Sequence, residues 1–143
     1  MTFKISDKVI VPQDWRSDLE SPNCGAFATF EGWVRNNNDG FDVTCLEYQA
    51  YEVLAHKEGE RILTQAKKDF PIEQVFCVHR VGLLEIGEIA VFVGVSSKHR
   101  DEAFRACRFI IDEVKYRVPI WKKEFYSNGD SGWVNCEACA DQN

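Results

Sequence analysis

Two segments of the chain place apolar residues at the three-and-four spacing of an amphipathic helix. The first lies in residues 49–70 and ends at Pro71. Its predicted apolar face consists of Tyr51, Leu54, Ile62, Ala66 and Phe70. The second helix is stopped by Pro119, which puts Lys115 in its last turn. Its predicted face consists of Ala103, Phe104, Cys107, Ile110, Ile111 and Val114. The pattern therefore predicts two main helices.

Strand-like segments lie before, between and after these helices. Residues 3–11 are predicted to form a short edge strand, and residues 25–35 and 41–48 to form a hairpin around the turn sequence NNNDG. Between the helices, QVFCVHRVG and EIAVFVGVSS are rich in valine and phenylalanine, which favour strands. The segments IWKKEFY and WVNC flank a turn at SNGDSG. Because neighbouring strands with short links pair antiparallel, this order predicts an α+β fold with antiparallel sheets.

The length and net charge of the chain exclude some classes of protein. A chain of 143 residues predicts one domain, 1–143, and its tail, residues 136–143, has no core pattern. The net charge of −6 argues against a general nucleic-acid-binding protein, which normally carries a basic excess. No apolar run approaches the roughly 20 residues of a membrane span, and the N-terminal sequence lacks a signal-peptide core. We therefore expect a cytoplasmic protein without membrane or nucleic-acid partners.

The six cysteines indicate buried thiols rather than a metal site. They are Cys24, Cys45, Cys77, Cys107, Cys136 and Cys139. The first four occur singly in apolar surroundings, where free cysteine behaves as a small hydrophobic residue. Cys136 and Cys139 form one CxxC, with no second pair and no histidine nearby, so a zinc site or a redox motif is disfavoured. We predict no bound metal.

The segment VPIWKKEFY is a candidate for chemistry, because two consecutive lysines follow a proline and a tryptophan. Strand alternation puts Trp121 and Lys123 on one face and Lys122 on the other. Since Pro119 turns the chain back beside the helix end, we expect Lys122 to approach Lys115. Two ammonium groups that lie close lower each other's pKa, which suits a general acid or base near neutral pH. The alternative is a pair of ordinary solvated lysines.

Three further basic residues are candidates for anion binding. His99 and Arg100 stand where a strand becomes a helix, and unpaired N–H groups at a helix start attract anions. Cations at that end oppose the helix dipole, so a bound anion would explain them, and two ordinary surface cations are the alternative. Arg35 closes a strand before a polar turn, where a surface arginine is also expected. His79, which stands with Arg80 between two valines, is interpreted as a structural histidine.

Three blocks of the sequence closely resemble the large, catalytic subunit of molybdopterin synthase. They are GAFATFEGWVRNNNDGFDVTCLEYQAY, VHRVGLLEIGEIAVFVGVSSKHRDEAF, and VKYRVPIWKKE with the GWV that follows it. They occur in the order and with the spacing of that family. Together they cover roughly residues 24–134, which is most of the chain.

The resemblance implies a reaction, a fold and partners. The family forms the dithiolene of molybdopterin from cyclic pyranopterin monophosphate, also called precursor Z. Sulfur arrives as a C-terminal Gly-Gly thiocarboxylate on a ubiquitin-like small subunit, whose tail enters a pocket of the large subunit. The large subunit forms a homodimer at the centre of a heterotetramer. The implied fold is α+β with an α/β-hammerhead portion, and no cofactor is implied.

The resemblance also assigns roles to five basic residues at the family's motif positions. We expect Arg35, His99 and Arg100 to hold the phosphate and the pterin. Lys122 is expected to transfer protons during sulfur attack and ring opening. Lys115 would orient the thiocarboxylate and stabilise developing negative charge. Because the partner delivers the sulfur, no cysteine is expected to be a nucleophile.

Two features depart from the family, and two other functions stay open. The N-terminal arm is shorter, and Glu137 stands near the place where many relatives carry a basic residue that reaches the second subunit's site. One alternative is a non-catalytic docking module for a ubiquitin-like tail, which would not require the lysine pair. The other is a redox or zinc protein that uses Cys136 and Cys139.

Overall fold

The computed structural model describes residues 1–135, in which strands and helices alternate along the chain. The strands are β1 (Thr2–Ser6), β2 (Ala26–Trp33), β3 (Asn37–Asn38), β4 (Phe41–Ala50), β5 (Ile72–Arg80), β6 (Gly82–Glu85), β7 (Ile89–Ser97), β8 (Ile120–Tyr126) and β9 (Ser131–Asn135). The helices are α1 (Gln13–Leu19), α2 (Glu52–Asp69) and α3 (Arg100–Arg117). The predicted α+β class and the two main helices are confirmed.

A four-stranded sheet in the order β1-β5-β7-β2 forms the centre of the molecule. β5, β7 and β2 pair antiparallel, whereas β1 pairs parallel with β5 at the sheet edge. α2 and α3 cover one face, and their core includes Ile62, Val93 and Ile110. α1 covers the other face, where Trp15 stacks on Phe76 with the ring centroids 4.2 Å apart. Burial of these apolar faces is the main force that holds the layers together.

The remaining strands form a second sheet in the order β3-β4-β8-β9, with β6 beside β4. This arrangement contradicts the predicted hairpin. β2 pairs with β7 in the central sheet and β4 pairs with β8 in the second, so residues 25–35 and 41–48 do not pair with each other. The turn sequence was identified correctly, because Asp39 and Gly40 have positive φ angles of 49° and 82°. That turn closes only the two-residue β3 onto β4. The chain between β2 and β4 therefore passes from one sheet to the other.

The helix faces also differ from those predicted. Tyr51, Leu54 and Phe104 are 63%, 42% and 65% exposed, so they do not belong to the core. The buried face of α2 consists of Ala55, Gly59, Ile62, Leu63 and Ala66. Three of these residues are small, which lets the helix approach the sheet closely. A pattern search that counts only large apolar residues misses such a face.

Gly59 lies against the Phe3 ring, so we expect the methyl group of an alanine at this position to change the stability of the protein. A Cβ at Gly59 would overlap the ring, and Phe3 is fully buried. We expect Gly59→Ala to lower the free energy of unfolding by about 1–3 kcal/mol, despite the higher helix propensity of alanine. Urea unfolding measures this change. In a Phe3→Ala background the same substitution should become stabilising, and equal destabilisation in both backgrounds would contradict the contact.

The remaining predictions concern membrane spans, the cysteines and the C-terminal tail. No helix within residues 1–135 is long and apolar enough to cross a membrane. Cys24, Cys45, Cys77 and Cys107 are all free thiols. Cys136, Glu137 and Cys139 lie outside the described residues, as does the whole predicted tail, 136–143.

Candidate active site

A cavity of about 740 Å³ lies where the central sheet, α3 and the second sheet meet. Its lining comes from β2 and the loop after it, from residues 104–116, and from the inward faces of β4 and β8. The lining residues include four basic side chains (Arg35, Arg108, Lys115 and Lys122) and three acidic ones (Glu31, Asp112 and Glu124). A chain with net charge −6 thus lines this one cavity with a small excess of cations.

Lys122 enters the cavity from β8, and the alternation of that strand decides its direction. Its side chain is 14% exposed, and Nζ lies 3.9 Å from Oε1 of Glu124. Lys123 points the other way, with Nζ 5.4 Å from the Phe125 ring centroid and 5.7 Å from the Trp133 centroid. The predicted division of faces is therefore confirmed, and only one of the two consecutive lysines belongs to the cavity. Trp121 is 40% exposed, so it does not anchor the strand in the core.

Glu124 is a site residue that the sequence reasoning did not single out. It is only 2% exposed, and its Oε1 accepts a hydrogen bond of 2.7 Å from Nδ2 of Asn38. A buried carboxylate needs such partners, because an unpaired one is costly to desolvate. Glu124 therefore holds the Lys122 ammonium on the inner face of the sheet. Its position two residues after Lys122 in a strand was the available signal.

Lys115 reaches the same cavity from the last turn of α3. The helix ends at Arg117, and Val118 is its C-cap in extended conformation, because Pro119 cannot continue the helical hydrogen-bonding pattern. The chain then re-enters as β8, which brings Lys122 back beside the helix end. Lys115 and Lys122 thus line one cavity, as their order around the proline predicts.

Arg35 lines the cavity from the loop that follows β2. Its side chain is exposed, and within residues 1–135 it makes no ion pair. Its chain neighbour Val34 is buried and its N–H donates to the carbonyl of Glu88. The backbone at this position is therefore fixed while the guanidinium can meet a ligand. A guanidinium suits a phosphate, because it donates two parallel hydrogen bonds.

His99 and Arg100 do not join the other three basic residues in this chain. Both are exposed, His99 is the N-cap of α3, and neither lines the cavity. Lys115 lies 15 residues beyond Arg100 on the same helix, which is about 22 Å along the axis. One chain therefore brings together Arg35, Lys115 and Lys122 but keeps His99 and Arg100 apart from them.

His79 lines the cavity, which the interpretation as a structural histidine did not anticipate. It is 7% exposed, its Nδ1 lies 2.8 Å from the carbonyl oxygen of Arg80, and its ring meets the Tyr48 ring edge-on at 4.9 Å. Burial lowers the pKa of this imidazole to about 4, the hydrogen bond to Arg80 opposes that shift, and the charge of Lys115 adds to it. His79 is therefore neutral at physiological pH.

The low pKa of His79 predicts a loss of stability in acid. In the unfolded chain this imidazole takes a proton near pH 6.5, whereas in the folded protein it stays neutral down to about pH 4. The unfolded state binds the proton first, so the free energy of unfolding falls as the pH drops through this window. The complete shift corresponds to on the order of 3 kcal/mol. Urea unfolding at about pH 7 and about pH 4.5 measures the loss.

Two variants separate this effect from other acid effects. His79→Gln should flatten the dependence between those pH values, because the side chain no longer titrates. His56→Gln makes the same substitution at a histidine that is 56% exposed and lies outside the cavity, and so serves as the comparison. Glu58 and Glu88 have pKa values below the usual 4.5, owing first to the hydrogen bond from Arg61 and to the one from the Glu85 N–H. Their contributions are lost in more acidic solution, and an unchanged slope in His79→Gln would contradict the assignment.

The cysteines near the cavity are poor nucleophiles. Burial raises the pKa of the Cys107 thiol to about 11 and raises that of Cys77 further. The thiolate is the reactive form of cysteine, so both thiols are inert at neutral pH. Cys107 lines the cavity but serves there as an apolar wall.

Comparison with known proteins places the chain in a family. A family model described as MoaE protein matches residues 5–117. The molybdopterin synthase catalytic subunit of Thermoplasma volcanium is 44% identical over 130 residues, which cover 91% of this chain and 95% of that protein. The crystal structure of molybdopterin synthase from Staphylococcus aureus has a TM-score of 0.87 at 36% identity, covering 92% of this chain and 96% of that one.

One further structure, from Helicobacter pylori, is a complex of subunits 1 and 2 of molybdopterin-converting factor. It matches with a TM-score of 0.73 at 24% identity, over 88% of this chain and 86% of that one, and so shares the fold. The family model alone spans most of the chain, and the Thermoplasma relative is similar over nearly its whole length. The chain belongs to the MoaE protein family, whose members include molybdopterin synthase catalytic subunits.

Proposed function

We propose that this chain is the catalytic subunit of a molybdopterin synthase. It transfers sulfur from the C-terminal thiocarboxylate of a small subunit to cyclic pyranopterin monophosphate, and the product is the molybdopterin dithiolene. The observation that carries the proposal is the meeting of Lys115, Lys122 and Arg35 in one cavity of a MoaE-family fold. The thiocarboxylate and the cyclic phosphate are both anions, so an acidic protein needs such a concentration of cations.

The positions of the cations suggest a division of roles. Arg35, which lines the cavity and is exposed, would bind the phosphate. Lys122 would transfer protons as the sulfur attacks and the cyclic phosphate opens, with Glu124 holding its ammonium. Lys115 would orient the thiocarboxylate and stabilise the negative charge that develops. Each dithiolene needs two sulfur atoms, so two thiocarboxylates are consumed for each product.

The partner in this proposal is a small ubiquitin-like subunit with a C-terminal Gly-Gly thiocarboxylate. The Helicobacter pylori protein of the same fold, which was solved as a complex of two subunits, supports such a partner. We further propose that two copies of the chain form the centre of a heterotetramer. Its compartment would be the cytoplasm, where the four free cysteines of the described residues stay reduced.

His99 and Arg100 stay in the proposal as phosphate- and pterin-binding residues, but they need a second copy of the chain. Their distance from Lys115 along α3 is too large for both ends of the helix to hold one small substrate. In a symmetric dimer, the start of α3 in one protomer can approach the cavity of the other. Each site would then combine Lys122 of one protomer with Arg100 of its partner.

Mixed dimers test this arrangement. Lys122→Ala and Arg100→Ala should each be inactive alone, yet random mixing of the two should restore about a quarter of the sites, because half of the dimers then hold one intact site. If all five residues act within one chain, mixing restores nothing. Wild-type activity of Arg100→Ala would remove Arg100 from the site altogether.

The direct test of the function is a single-turnover assay. The protein is mixed with a thiocarboxylated small subunit and cyclic pyranopterin monophosphate, and molybdopterin is detected as its fluorescent oxidised derivative. Product formation at the rate of a known synthase is the expected result. Tight binding of the small subunit without product would instead favour a docking module. The two cavity lysines argue against that alternative, because tail binding alone does not require them.

A further inference from the structure

We propose that His79 is a positioning residue, whose neutral imidazole holds the ammonium group of Lys115 in the cavity, directly or through one water molecule. The proposal rests on the role suggested above for Lys115. It concerns a buried residue of β5 that lines the cavity, whereas the basic residues of the site come from other elements. The sequence does not indicate this role, since a histidine in an apolar strand is normally a structural residue.

The tautomer of His79 follows from its hydrogen bond. Nδ1 lies 2.8 Å from the Arg80 carbonyl oxygen, which can only accept, so Nδ1 carries the proton and donates. In a neutral imidazole the other nitrogen, Nε2, is then an acceptor with a free lone pair. The edge-on contact with Tyr48 fixes the orientation of the ring. The structure thus presents an oriented acceptor among side chains that are mostly donors.

Burial is the main reason that the pKa of His79 is low, and the charge of Lys115 adds to the effect. Arg80, the next residue, is 5% exposed and pairs with Glu88 at 3.0 Å. Lys115 on α3 lies near enough for its charge to oppose protonation of the imidazole. Tyr48 on β4 faces the ring, and Lys122 on β8 and Cys107 on α3 line the same cavity. A proton on His79 would therefore add a further cation to a region that already holds several, which is unfavourable.

A neutral acceptor that does not take the proton is well suited to position a lysine. A carboxylate in that place would bind the ammonium as an ion pair and would repel an incoming thiocarboxylate. The imidazole accepts a hydrogen bond without adding negative charge. Lys115 can then keep its positive charge available to the thiocarboxylate while its side chain stays in one orientation.

Two substitutions distinguish the acceptor role of Nε2 from the structural role of the Nδ1 hydrogen bond. The amide nitrogen of His79→Asn can replace the Nδ1 donor to the Arg80 carbonyl but offers no acceptor at the Nε2 position, whereas the longer His79→Gln places its amide near that position. We expect His79→Asn to lower the single-turnover rate roughly tenfold, as for loss of one hydrogen bond to a charged group, and His79→Gln to recover most of it. The binding of the small subunit should stay unchanged in both.

Titration of the histidine rings gives a second test, which does not depend on enzymatic activity and leaves His79 itself unchanged. Nitrogen-15 NMR of the histidine rings should show His79 as the neutral tautomer protonated at Nδ1. In Lys115→Met the pKa of His79 should rise, because the nearby cation is gone, whereas in Arg105→Met it should not move. Arg105 is an exposed cation of the same helix, and it lies outside the cavity.

The outcomes distinguish this proposal from the function itself. If wild-type protein forms no molybdopterin, the proposed function fails, while the titration still decides whether His79 and Lys115 are coupled. If wild type is active and both His79 variants match it, the positioning role is wrong. Equal losses in the two variants, or a His79 pKa that Lys115→Met leaves unchanged, would also overturn it.

Discussion

Replacing Lys122 with alanine is expected to lower the single-turnover rate of molybdopterin formation by about 10²–10⁴-fold, the range for removal of a positioned general acid or base. The side chain is the only part of β8 that brings a titratable nitrogen into the described cavity. Its ammonium lies 3.9 Å from Oε1 of Glu124, so it forms an ion pair within the protein before substrate arrives. The assay with thiocarboxylated small subunit measures the loss, and circular dichroism checks the fold.

Lys123→Ala is the matched control for this prediction. The two lysines are neighbours in one strand, yet Lys123 lies on the opposite face, near the Phe125 and Trp133 rings. Its removal changes the net charge of the protein by the same amount but leaves the cavity intact. A rate close to wild type is therefore expected. Equal loss in both variants would mean that total charge, and not the position of Lys122, controls the rate.

Strand alternation explains why part of this site could be predicted from the sequence. The side of β8 on which Lys122 lies follows from its parity relative to Trp121, and Pro119 ends the helix so that Lys115 stays in its last turn. These are local rules, and the structure obeys them. The Asn-Asp-Gly turn was recognised for the same reason, because Asp39 and Gly40 take the positive φ angles that such a turn requires.

Long-range features escaped the sequence reasoning. β2 and β4 are close in sequence and have suitable strand patterns, yet they pair in different sheets, which no local rule decides. Glu124 and His79 became site residues only when β8, α3 and β5 met at one cavity. The buried face of α2 was predicted wrongly because it includes Gly59, which packs against Phe3 only because it has no side chain. Sequence patterns identify single helices and strands. Which residues line a common cavity depends on contacts between elements that are distant in the sequence.

The separation of His99 and Arg100 from the cavity illustrates the same limit. The sequence places both at the start of a helix, and the structure confirms that α3 begins there, with His99 as its N-cap. What the local pattern could not supply is the direction of that helix relative to the cavity. Because α3 runs with its last turn at Lys115, its first turn lies at the far end. Their proposed role thus depends on a second protomer.

Replacing Lys115 with methionine should lower the single-turnover rate by about 10²–10³-fold, the cost of removing one preorganised charge that stabilises a developing anion. Methionine keeps much of the apolar stem, so the last turn of α3 should remain packed on its neighbours. Because Lys115 is proposed to act on the thiocarboxylate, its loss should affect the chemical step more than the binding of the small subunit. Single-turnover rates at saturating small subunit, together with its dissociation constant, distinguish these effects.

Arg105→Met is the control, because it removes a cation from α3 outside the cavity and its side chain is 65% exposed. It should retain the wild-type rate and the wild-type affinity for the small subunit. If Lys115→Met instead weakens binding of the small subunit and leaves the rate at saturation unchanged, Lys115 only holds the tail. In that case its charge contributes equally to the ground state and the transition state, and the stabilisation of developing charge must come from Lys122 and Arg35.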